Sequence, residues 1–518
     1  MTAPADPGGP TEPGAPDADG VRWRHLHRVT PLLNAWKVAV AIIAVFLFQG
    51  LDDVLRIGLP PLTLVLVLAG AVVLATVIGL IYSYLAWRRT TFAITPDAVV
   101  LRSGVLFRKE RVARLTRIQA VEITQPILGR IFGFSGIRVE SAGGSEANMS
   151  LAYLTADEGA DVRNEVLARA AGLDLDGDPA TQEAAATDGD GAPTDGASTG
   201  GAGAPATRAP AAPLLAPEAP EHPVLAVGAS RLLVSLLAHG ATVTVLLAVV
   251  ALVVVVVLGE GGRWLFSAFL PLLGVLAFLW GRFTGEFNFR LATSPDGLRV
   301  RQGLLETKAR TIPPGRVQAL VVQQGPIWRA LGWWRVRVTL ASQGNAADGS
   351  ETSDVLLPVG TRADVETVLE LAIPELAASD RPALGAGLVG MDDGEGWVPS
   401  PRRTRFLDPL AYRRNAFLVM DHVIALRTGR IFRQLSLVPH ERTQSLGVTQ
   451  GPLERRLRVV SFRAHSSGSI EPTLPHLDDE VAARLMVEQA DRARIARGSA
   501  GPERWMRRGP VTQGPDAG

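Results

Sequence analysis

Apolar residues dominate four stretches of the chain, and these are the first elements that the pattern predicts. Residues 57–87 and 232–259 contain no Asp, Glu, Lys or Arg. Each is longer than the roughly 20 residues with which a helix crosses a bilayer core. Residues 264–281 are also uncharged but shorter, and residues 32–50 are interrupted by Lys37. A buried core helix is the alternative for this last stretch.

Short polar connections join the stretches in two pairs, which predicts two α-helical transmembrane hairpins, residues 31–87 and 231–281. The connections carry Asp52, Asp53 and Glu260, whereas arginines flank both hairpins. The flanking arginines are Arg22, Arg24, Arg28, Arg88, Arg89, Arg231 and Arg282. Because basic flanks stay on the cytoplasmic side, we expect a multi-pass cell-membrane protein whose N-terminus and remaining domains are cytoplasmic.

Outside the hairpins, short runs alternate apolar and polar residues and are broken by Pro-Asp and Gly turns, which predicts β-strands. The first set comprises Thr91–Ile94, Ala98–Ser103, residues 120–124 and residues 136–141. A helical pattern follows each set, and a capping box can begin the first such helix at Thr155. A small antiparallel barrel closed by a C-terminal helix fits a module of about 80 residues.

This module occurs three times. In each copy a glycine lies thirteen residues before an Arg-x-Gln motif, and a proline follows soon after. The repeated positions are Gly104, Arg117, Gln119 and Pro126, then Gly303, Arg316, Gln318 and Pro326, then Gly429, Arg442, Gln444 and Pro452. Repetition of this kind indicates one structural unit used three times. We interpret the prolines as turn formers rather than ligand contacts.

The signature, preceded by an apolar hairpin and a basic flank, resembles that of bacterial pleckstrin-homology (PH) domain proteins of the membrane-flanked, YdbT-like family. The resemblance covers residues 21–171 and 231–497. It implies helical hairpins joined to repeated PH-like domains and says little about activity. The third copy departs from the pattern, because Arg458 stands where the other copies have Gly133 and Gly332, and no hairpin precedes it.

The fold class expected from these patterns is α-helical transmembrane hairpins plus three α+β, mostly-β PH-like domains. Residues 172–222 are rich in Ala, Gly, Pro and acidic residues, and too polar to order themselves. The remaining predicted segments are a disordered N-terminus at residues 1–20, PH-like domains at 88–171, 282–373 and 406–497, a linker at 374–405 and a disordered tail at 498–518.

Charge and cysteine content narrow the choice of function. The 52 basic and 51 acidic residues give a net charge of +1, but their distribution is uneven. Residues 88–140, 282–340 and 411–470 each hold ten basic residues against three or four acidic ones, so cationic modules alternate with acidic linkers. The absence of cysteine excludes disulfides, thiolate zinc sites and iron–sulfur clusters.

No catalytic pattern is evident. The eight histidines are scattered, and the sequence has no phosphate-binding loop or serine nucleophile elbow. Asp174, Asp176 and Asp178 resemble the start of a calcium loop, but the remaining ligands are missing. His239 lies inside an apolar stretch, where we expect it to be neutral and hydrogen-bonded to a neighbouring helix. We therefore predict no enzyme activity, no cofactor and no metal.

Basic residues beside the predicted membrane or on a basic domain are the candidate contacts for anionic lipids or partners. They are Arg88, Arg89, Arg108, Lys109, Arg111, Arg413 and Arg414. Anionic headgroups attract each such residue by about 1 kcal/mol, although a solvated face is the alternative interpretation.

We expect a non-enzymatic membrane protein whose PH-like domains bind the inner leaflet or protein partners, in envelope stress response or assembly. The expected partners are anionic inner-leaflet lipids, together with other proteins or further copies of the chain, and no nucleic acid. An oligomeric transporter or channel component is the alternative.

Overall fold

The computed structural model describes most of the three repeated modules. The described residues are 23–25, 61–104, 108–141, 149–170, 221–240, 242–243, 247–248, 250–251, 254, 263–313, 315–340, 355–376, 378–466 and 471–499. The predicted disordered N-terminus at residues 1–20 lies outside this part of the chain, as do residues 172–220 of the linker predicted at 172–222 and residues 500–518 of the tail predicted at 498–518. The calcium-like run from Asp174 to Asp178 also lies outside it. The predicted bounds are slightly wrong, because His222 begins a strand and Ser499 ends a helix.

The first domain begins with a short strand, β1 (Arg24–His25), and a long helix, α1 (Pro61–Arg88). Its other elements are β2 (Thr91–Ile94), β3 (Ala98–Ser103), β4 (Lys109–Arg114), β5 (Ile118–Pro126), α2 (Ile127–Phe132), β6 (Phe134–Ser141), β7 (Met149–Thr155) and α3 (Ala156–Ala170). The predicted capping box starts α3, since Thr155 N–H donates to the Glu158 carboxylate at 3.0 Å and Glu158 N–H donates to the Thr155 hydroxyl at 3.3 Å.

The second domain repeats this order. Its elements are β8 (His222–Ala226), α4 (Ala229–Leu237), α5 (Arg263–Glu286), β9 (Arg290–Ser294), β10 (Gly297–Gln302), β11 (Glu306–Ile312), β12 (Val317–Gln324), α6 (Pro326–Ala330), β13 (Trp334–Leu340), β14 (Val355–Gly360) and α7 (Arg362–Ala372). A capping box between Thr361 and Asp364 starts α7.

The third domain has the same plan but is preceded by a short helix. Its elements are α8 (Arg381–Val389), β15 (Val398–Pro399), β16 (Ala416–Val419), β17 (Val423–Thr428), β18 (Arg433–Pro439), β19 (Ser445–Thr449), α9 (Pro452–Arg456), β20 (Val459–His465), β21 (Thr473–Asp478) and α10 (Asp479–Ser499).

The linker predicted at residues 374–405 is wrong in its described part, because α8 and β15 belong to the folded third domain. Leu384, Leu388 and Trp397 lie in the hydrophobic core. The Trp397 indole N–H also donates to the carbonyl oxygen of Ala383 at 3.0 Å. Burial of these three apolar side chains stabilises a segment whose Gly- and Pro-rich composition predicted a linker.

Neighbouring domains share β-sheets. The strand orders are β1-β2-β3-β4, then β7-β6-β5-β11-β10-β9-β8, then β14-β13-β12-β18-β17-β16-β15, and finally β19-β20-β21. The fifth strand of one domain therefore pairs with the fourth strand of the next. We call the β5–β11 pairing the first joint and the β12–β18 pairing the second joint. In place of a small closed barrel for each copy, the structure has a continuous row of domains, each divided between two sheets.

The two joints have different side-chain chemistry. At the first joint, Arg310 on β11 forms a buried salt bridge with Glu140 on β6. At the second joint, Leu320 lies opposite Leu437, and both are fully buried. One hydrophobic core cluster includes both leucines together with Trp328, so the second and third domains share a core.

The predicted transmembrane hairpins at residues 31–87 and 231–281 are not seen. In the part of the chain that the structure describes, no helix is long and apolar enough to cross a membrane. Residues 31–60 of the first predicted hairpin and most of residues 244–262 of the second lie outside the described residues. The fold class is therefore corrected to antiparallel β-sheets with helices that pack against them or lead into them.

Packing against a domain accounts for the start of the second apolar stretch. Leu232 and Leu236 of α4 are buried in the domain core. The Trp328 indole N–H donates to the carbonyl oxygen of Ser235 at 3.0 Å, and the His239 ring lies edge-on to the Trp328 ring with centroids 6.1 Å apart. The hydrophobic residues at this position thus pack on a folded domain.

The signature glycines allow the turn between the third and fourth strands. Gly104, Gly303 and Gly429 have φ values of 120°, 114° and 68°. Side chains disfavour this region of φ. A Cβ on Gly303 would lie 1.9 Å from the carbonyl oxygen of Glu306.

We therefore expect Gly303→Ala to lower the free energy of unfolding by about 2 kcal/mol or more, because it combines backbone strain with a backbone clash. Gly325→Ala is the control, since a Cβ there would meet nothing within 4 Å. Urea denaturation of the two variants measures the difference. Equal stability of the two variants would contradict the role of the turn.

Candidate functional site

Helix α1 presents an apolar surface. Large apolar side chains recur along it in pairs four residues apart, and they are 43% to 62% exposed. They are Val73, Leu74, Val77, Ile78, Ile81, Tyr82 and Leu85. We call this set the apolar stripe. A contiguous patch of this kind marks an interaction surface, because isolated soluble domains rarely leave one uncovered.

The C-terminal end of α1 is fixed to the first domain. Trp87 packs against the core of that domain, and the centroid of its ring lies 5.7 Å from that of Tyr84. The hydroxyl group of Thr90 donates to the carbonyl oxygen of Ala86 at 2.7 Å and so satisfies one of the last helical carbonyls. Strand β2 begins at the next residue, so the domain sets the direction in which α1 leaves it.

A group of exposed basic residues lies at the end of the sheet that α1 enters. Thr91 lies opposite Arg102, and Ser103 lies opposite Lys109, so β2 and β4 both begin at this end. The exposed basic residues here are Arg88, Arg89, Arg108 and Lys109. We call them the basic cluster. Within the described residues, none of the four side chains is paired with a carboxylate.

Arg111 follows two residues further along β4 and is also exposed. The structure thus brings five of the seven predicted contact residues to one strand and one helix end. Arg413 and Arg414 lie in the third domain and are not part of this group.

Arg413 is exposed but paired. Its Nε donates to Oδ1 of Asp392 at 3.0 Å, and its Nη2 donates to Oδ2 at 2.5 Å. The hydrogen bond from Arg413 holds the pKa of the Asp392 carboxyl below its usual value. This charge is therefore already matched within the domain.

Arg414 is placed differently from the prediction, because it is buried. Its guanidinium donates to the carbonyl oxygens of Gly387, Leu388 and Gly390 at 2.7 to 2.9 Å. These carbonyls are at the C-terminal end of α8, where the helix dipole favours a cation. Burial lowers the pKa of Arg414 to about 9. The residue anchors α8 and does not reach the surface.

Arg427 is a second buried arginine, one that the sequence analysis did not single out. It donates to the carbonyl oxygens of Arg414 at 2.9 Å and Ala386 at 3.0 Å, and it lies over the Trp397 ring, 4.7 Å from its centroid. Burial lowers its pKa to about 10. Nothing in the local sequence distinguishes it from an exposed arginine, because its partners come from a different segment.

Part of the excess positive charge of the second domain is paired with carboxylates. Arg299 contacts Glu221 and Asp296, each at 2.7 Å, and Arg301 contacts Glu221 at 2.8 Å. Arg310 is paired with Glu140 across the first joint. A charge count over residues 282–340 missed this pairing, because two of these carboxylates lie outside that range.

Glu286 is the most deeply buried of these carboxylates. Its Oε1 lies 3.2 Å from Nε of Arg282 and 2.7 Å from Nη2 of Arg335. Burial alone would raise its pKa, but the charges of Arg335 and Arg282 outweigh that effect and lower it. Glu286 therefore remains ionised and joins the end of α5 to β13.

Histidines in the third domain have structural partners. His440 is buried between the carbonyl oxygen of Met420 at 2.9 Å and the Gln489 amide at 2.8 Å, and burial lowers its pKa. His465 lies 3.3 Å from Glu471. In the described ranges, no three His, Asp or Glu side chains are grouped so that they could hold a metal ion.

Comparison with known proteins identifies the repeated fold. Residues 39–170, 231–375 and 386–493 each match the family described as Bacterial PH domain. The chain belongs to this family. The family resemblance inferred from the Arg-x-Gln signature is thus confirmed, including for the divergent third copy.

One relative is similar over part of its length. The chain is 22% identical over 316 residues to UPF0699 transmembrane protein YdbT of Bacillus subtilis (strain 168). The match covers 57% of this chain and 58% of the relative, which is less than two thirds of the latter. No solved structure matches the chain.

The signature arginines of the bacterial PH domains lie at the joints. Nη2 of Arg316 donates to the carbonyl oxygen of Thr116 in the preceding domain at 3.1 Å. Arg442 likewise lies against Gly315, the equivalent residue of the second domain. Arg117 is exposed. The arginine of each later domain therefore contacts the domain before it.

The other signature residues serve strands and turns. Gln119 and Gln318 are each 4% exposed, whereas Gln444 on the third domain is exposed. Pro326 and Pro452 begin α6 and α9, where a missing N–H costs nothing. These two prolines therefore start short helices, whereas Pro126 ends strand β5.

A further repeated arginine was missed in the sequence. Arg130 of α2 contacts the Thr307 hydroxyl and the Leu304 carbonyl oxygen of the second domain. Arg329 of α6 donates to the Ile431 carbonyl oxygen of the third domain at 2.9 Å. Arg455 is the equivalent residue of α9. Arg130, Arg329 and Arg455 each lie thirteen residues after the signature arginine of their copy, so comparison of the three copies could have identified them.

We expect Glu286→Gln to lower the free energy of unfolding by about 3–5 kcal/mol, because it leaves buried guanidinium groups without their anion. The pKa of Glu286 is lowered from its ordinary value of 4.5. Its contribution is therefore complete above that value and is lost as the pH falls through the folded-state pKa. The difference between wild type and variant should persist from neutral pH to about 5 and shrink below 4.5.

Glu370→Gln is the control, since the Glu370–Arg381 pair is exposed on both sides and contributes about 1 kcal/mol or less. Denaturation curves recorded across this pH range give both values. A Glu286→Gln variant no less stable than Glu370→Gln would contradict the anchoring role.

Proposed function

We propose that the protein is a non-enzymatic, membrane-associated scaffold whose first PH domain docks on an anionic lipid surface. The observation that carries this proposal is the contiguity of the apolar stripe on α1 with the basic cluster at its C-terminal end. The apolar stripe can contact the hydrocarbon of the lipids, and the basic cluster can contact their phosphate groups.

The two surfaces suit one lipid interface. Exposed apolar area gains about 25 cal/mol per Å² when it leaves water, and each basic residue near an anionic membrane gains about 1 kcal/mol. Trp87 is partly buried against the core of the first domain and lies between the two surfaces along the chain. Both surfaces can therefore engage the interface without reorganisation of the domain.

The similarity to a relative named as a transmembrane protein supports membrane association. The other domains suit a different task. Arg299, Arg301 and Arg310 are paired with carboxylates, and Arg414 is buried. We assign the lipid contact to the first domain and leave the second and third for binding proteins.

Binding of the full-length chain to vesicles tests the lipid contact. We expect Arg88→Glu combined with Arg89→Glu to weaken binding to phosphatidylglycerol-containing vesicles by roughly 30-fold or more, because about 2 kcal/mol of headgroup attraction is lost and the two glutamates add repulsion. Binding to purely phosphatidylcholine vesicles should change little. Wild-type binding should also weaken as salt is raised, since screening acts on the charge contribution.

The matched control is Arg484→Glu combined with Arg494→Glu, which makes the same charge change on exposed residues of α10. Vesicle flotation with quantified bound protein compares the variants. If the Arg88/Arg89 variant floats with anionic vesicles as well as the control does, the basic cluster is not the lipid contact.

A further inference from the structure

The two joints repeat one geometry. Thr311 lies opposite Val121 at the first joint, and Leu437 lies opposite Leu320 at the second. Counted from the signature arginines, these are equivalent positions in successive domains. The fifth strand of one PH domain thus meets the fourth strand of the next in the same register both times.

Side chains repeat at the joints as well. Arg130 and Arg329 each reach forward to the segment between the third and fourth strands of the next domain. Arg316 and Arg442 each reach back to the residue that precedes the signature arginine of the previous domain. A joint therefore consists of one strand pairing and two arginine contacts. Because both joints are built in this way, the residues that form them are part of the repeated module.

The outer strands of the row have no such partner within the described residues. Strand β4, a fourth strand, is the edge of the first sheet, and β19, a fifth strand, is the edge of the last. Val112 on β4 is 50% exposed and Val448 on β19 is 43% exposed. An exposed edge strand with apolar side chains is a template for pairing with another chain.

We propose that β19 of one copy pairs with β4 of a second copy in the register of the internal joints. The occupant of each edge is thus another copy of this chain, and the contact continues an interface that the molecule already contains twice. Val112 then lies opposite Leu446, at the positions that Leu437 and Leu320 occupy in the second joint. Glu110 lies opposite Val448.

Charge complementarity favours the same arrangement. Arg117 is exposed and has no partner among the described residues. In the repeated geometry it would reach Glu441, which precedes Arg442 and lies 3.0 Å from the Arg442 guanidinium, so Arg117 would add a second cation beside this carboxylate. Arg455, in the third domain of the other copy, is equivalent to Arg130 and Arg329, which contact the next domain at the two internal joints. The two ends thus present complementary residues at the repeated contact positions.

The interface is head-to-tail, because it joins different surfaces of the two copies. Head-to-tail contacts form closed rings or open filaments, depending on the rotation between copies. Each added copy extends the row of PH domains by three. The inference shares strand β4 with the lipid contact proposed above, because Lys109 of the basic cluster is the first residue of that strand. The two tests remain distinguishable, since Arg88 and Arg89 precede the strands that pair.

Cysteine cross-linking tests the pairing directly, because the chain has no cysteine of its own. Directly opposite residues of an antiparallel pair have Cα atoms about 4.5–5.5 Å apart, within disulfide range. We expect full-length Glu110→Cys and full-length Val448→Cys, mixed under mild oxidation, to form a covalent dimer. Neither variant alone should do so.

The internal control is the double variant Ile123→Cys and Ala309→Cys, the equivalent pair at the first joint. It should form a disulfide within one chain. Cross-linking of either single variant with itself would show like-with-like pairing and overturn the proposal. Absence of the mixed dimer, while the internal control closes, would also overturn it.

A second measurement requires no cysteine. Val112→Lys should weaken concentration-dependent self-association of the full-length chain at least tenfold in sedimentation velocity, because it would place a charge opposite the apolar Leu446. Val487→Lys, on an exposed position of α10, is the control and should associate like the wild type. Equal association of Val112→Lys and the wild type would contradict the assigned interface.

Discussion

Backbone hydrogen bonding between the fifth strand of one PH domain and the fourth strand of the next is the interaction on which the rest of the structure depends. A sheet of three or four strands leaves unpaired N–H and C=O groups at its edge, and pairing with the neighbouring domain satisfies them. Strands β5 and β12 thereby become interior strands of seven-stranded sheets. The PH domains are consequently not independent units on flexible linkers, because each one completes a sheet of the next.

Side chains add strength to this backbone frame in different ways. The first joint carries the buried Arg310–Glu140 pair, whereas the second joint is apolar around Leu320 and Leu437. The same backbone pairing between strands is therefore compatible with either charged or apolar side chains, as long as the glycine turns and the arginine contacts beside the strands are present. This accounts for the repetition of glycine and arginine while the residues within the strands vary. It also explains how the third copy can diverge and still be held in the row.

The sequence predicted the local structure well. The strands Thr91–Ile94 and Ala98–Ser103, and the capping box at Thr155, occur as expected because they depend on neighbouring residues. The sharing of sheets was not predicted, because edge pairing uses backbone groups that every residue possesses. The burial of Arg414 and the pairing of Arg299 with Glu221 were missed because their partners lie in other segments. Similarly, the apolar pattern around Leu232 suggested a membrane, whereas part of it packs on the domain.

Hydrogen–deuterium exchange of the full-length chain, at high dilution, tests the central claim that the domains are joined through shared sheets. The account predicts that amides in β5, β11, β12 and β18 exchange slowly, as in interior strands, whereas those in β4 and β19 exchange fast. Strands β4, β11 and β18 are equivalent in the three domains, and so are β5, β12 and β19. The measurement therefore compares paired and unpaired copies of the same strand within one molecule. Rapid exchange in β5 and β12, matching that of β19, would show that the domains do not share sheets and would contradict the account.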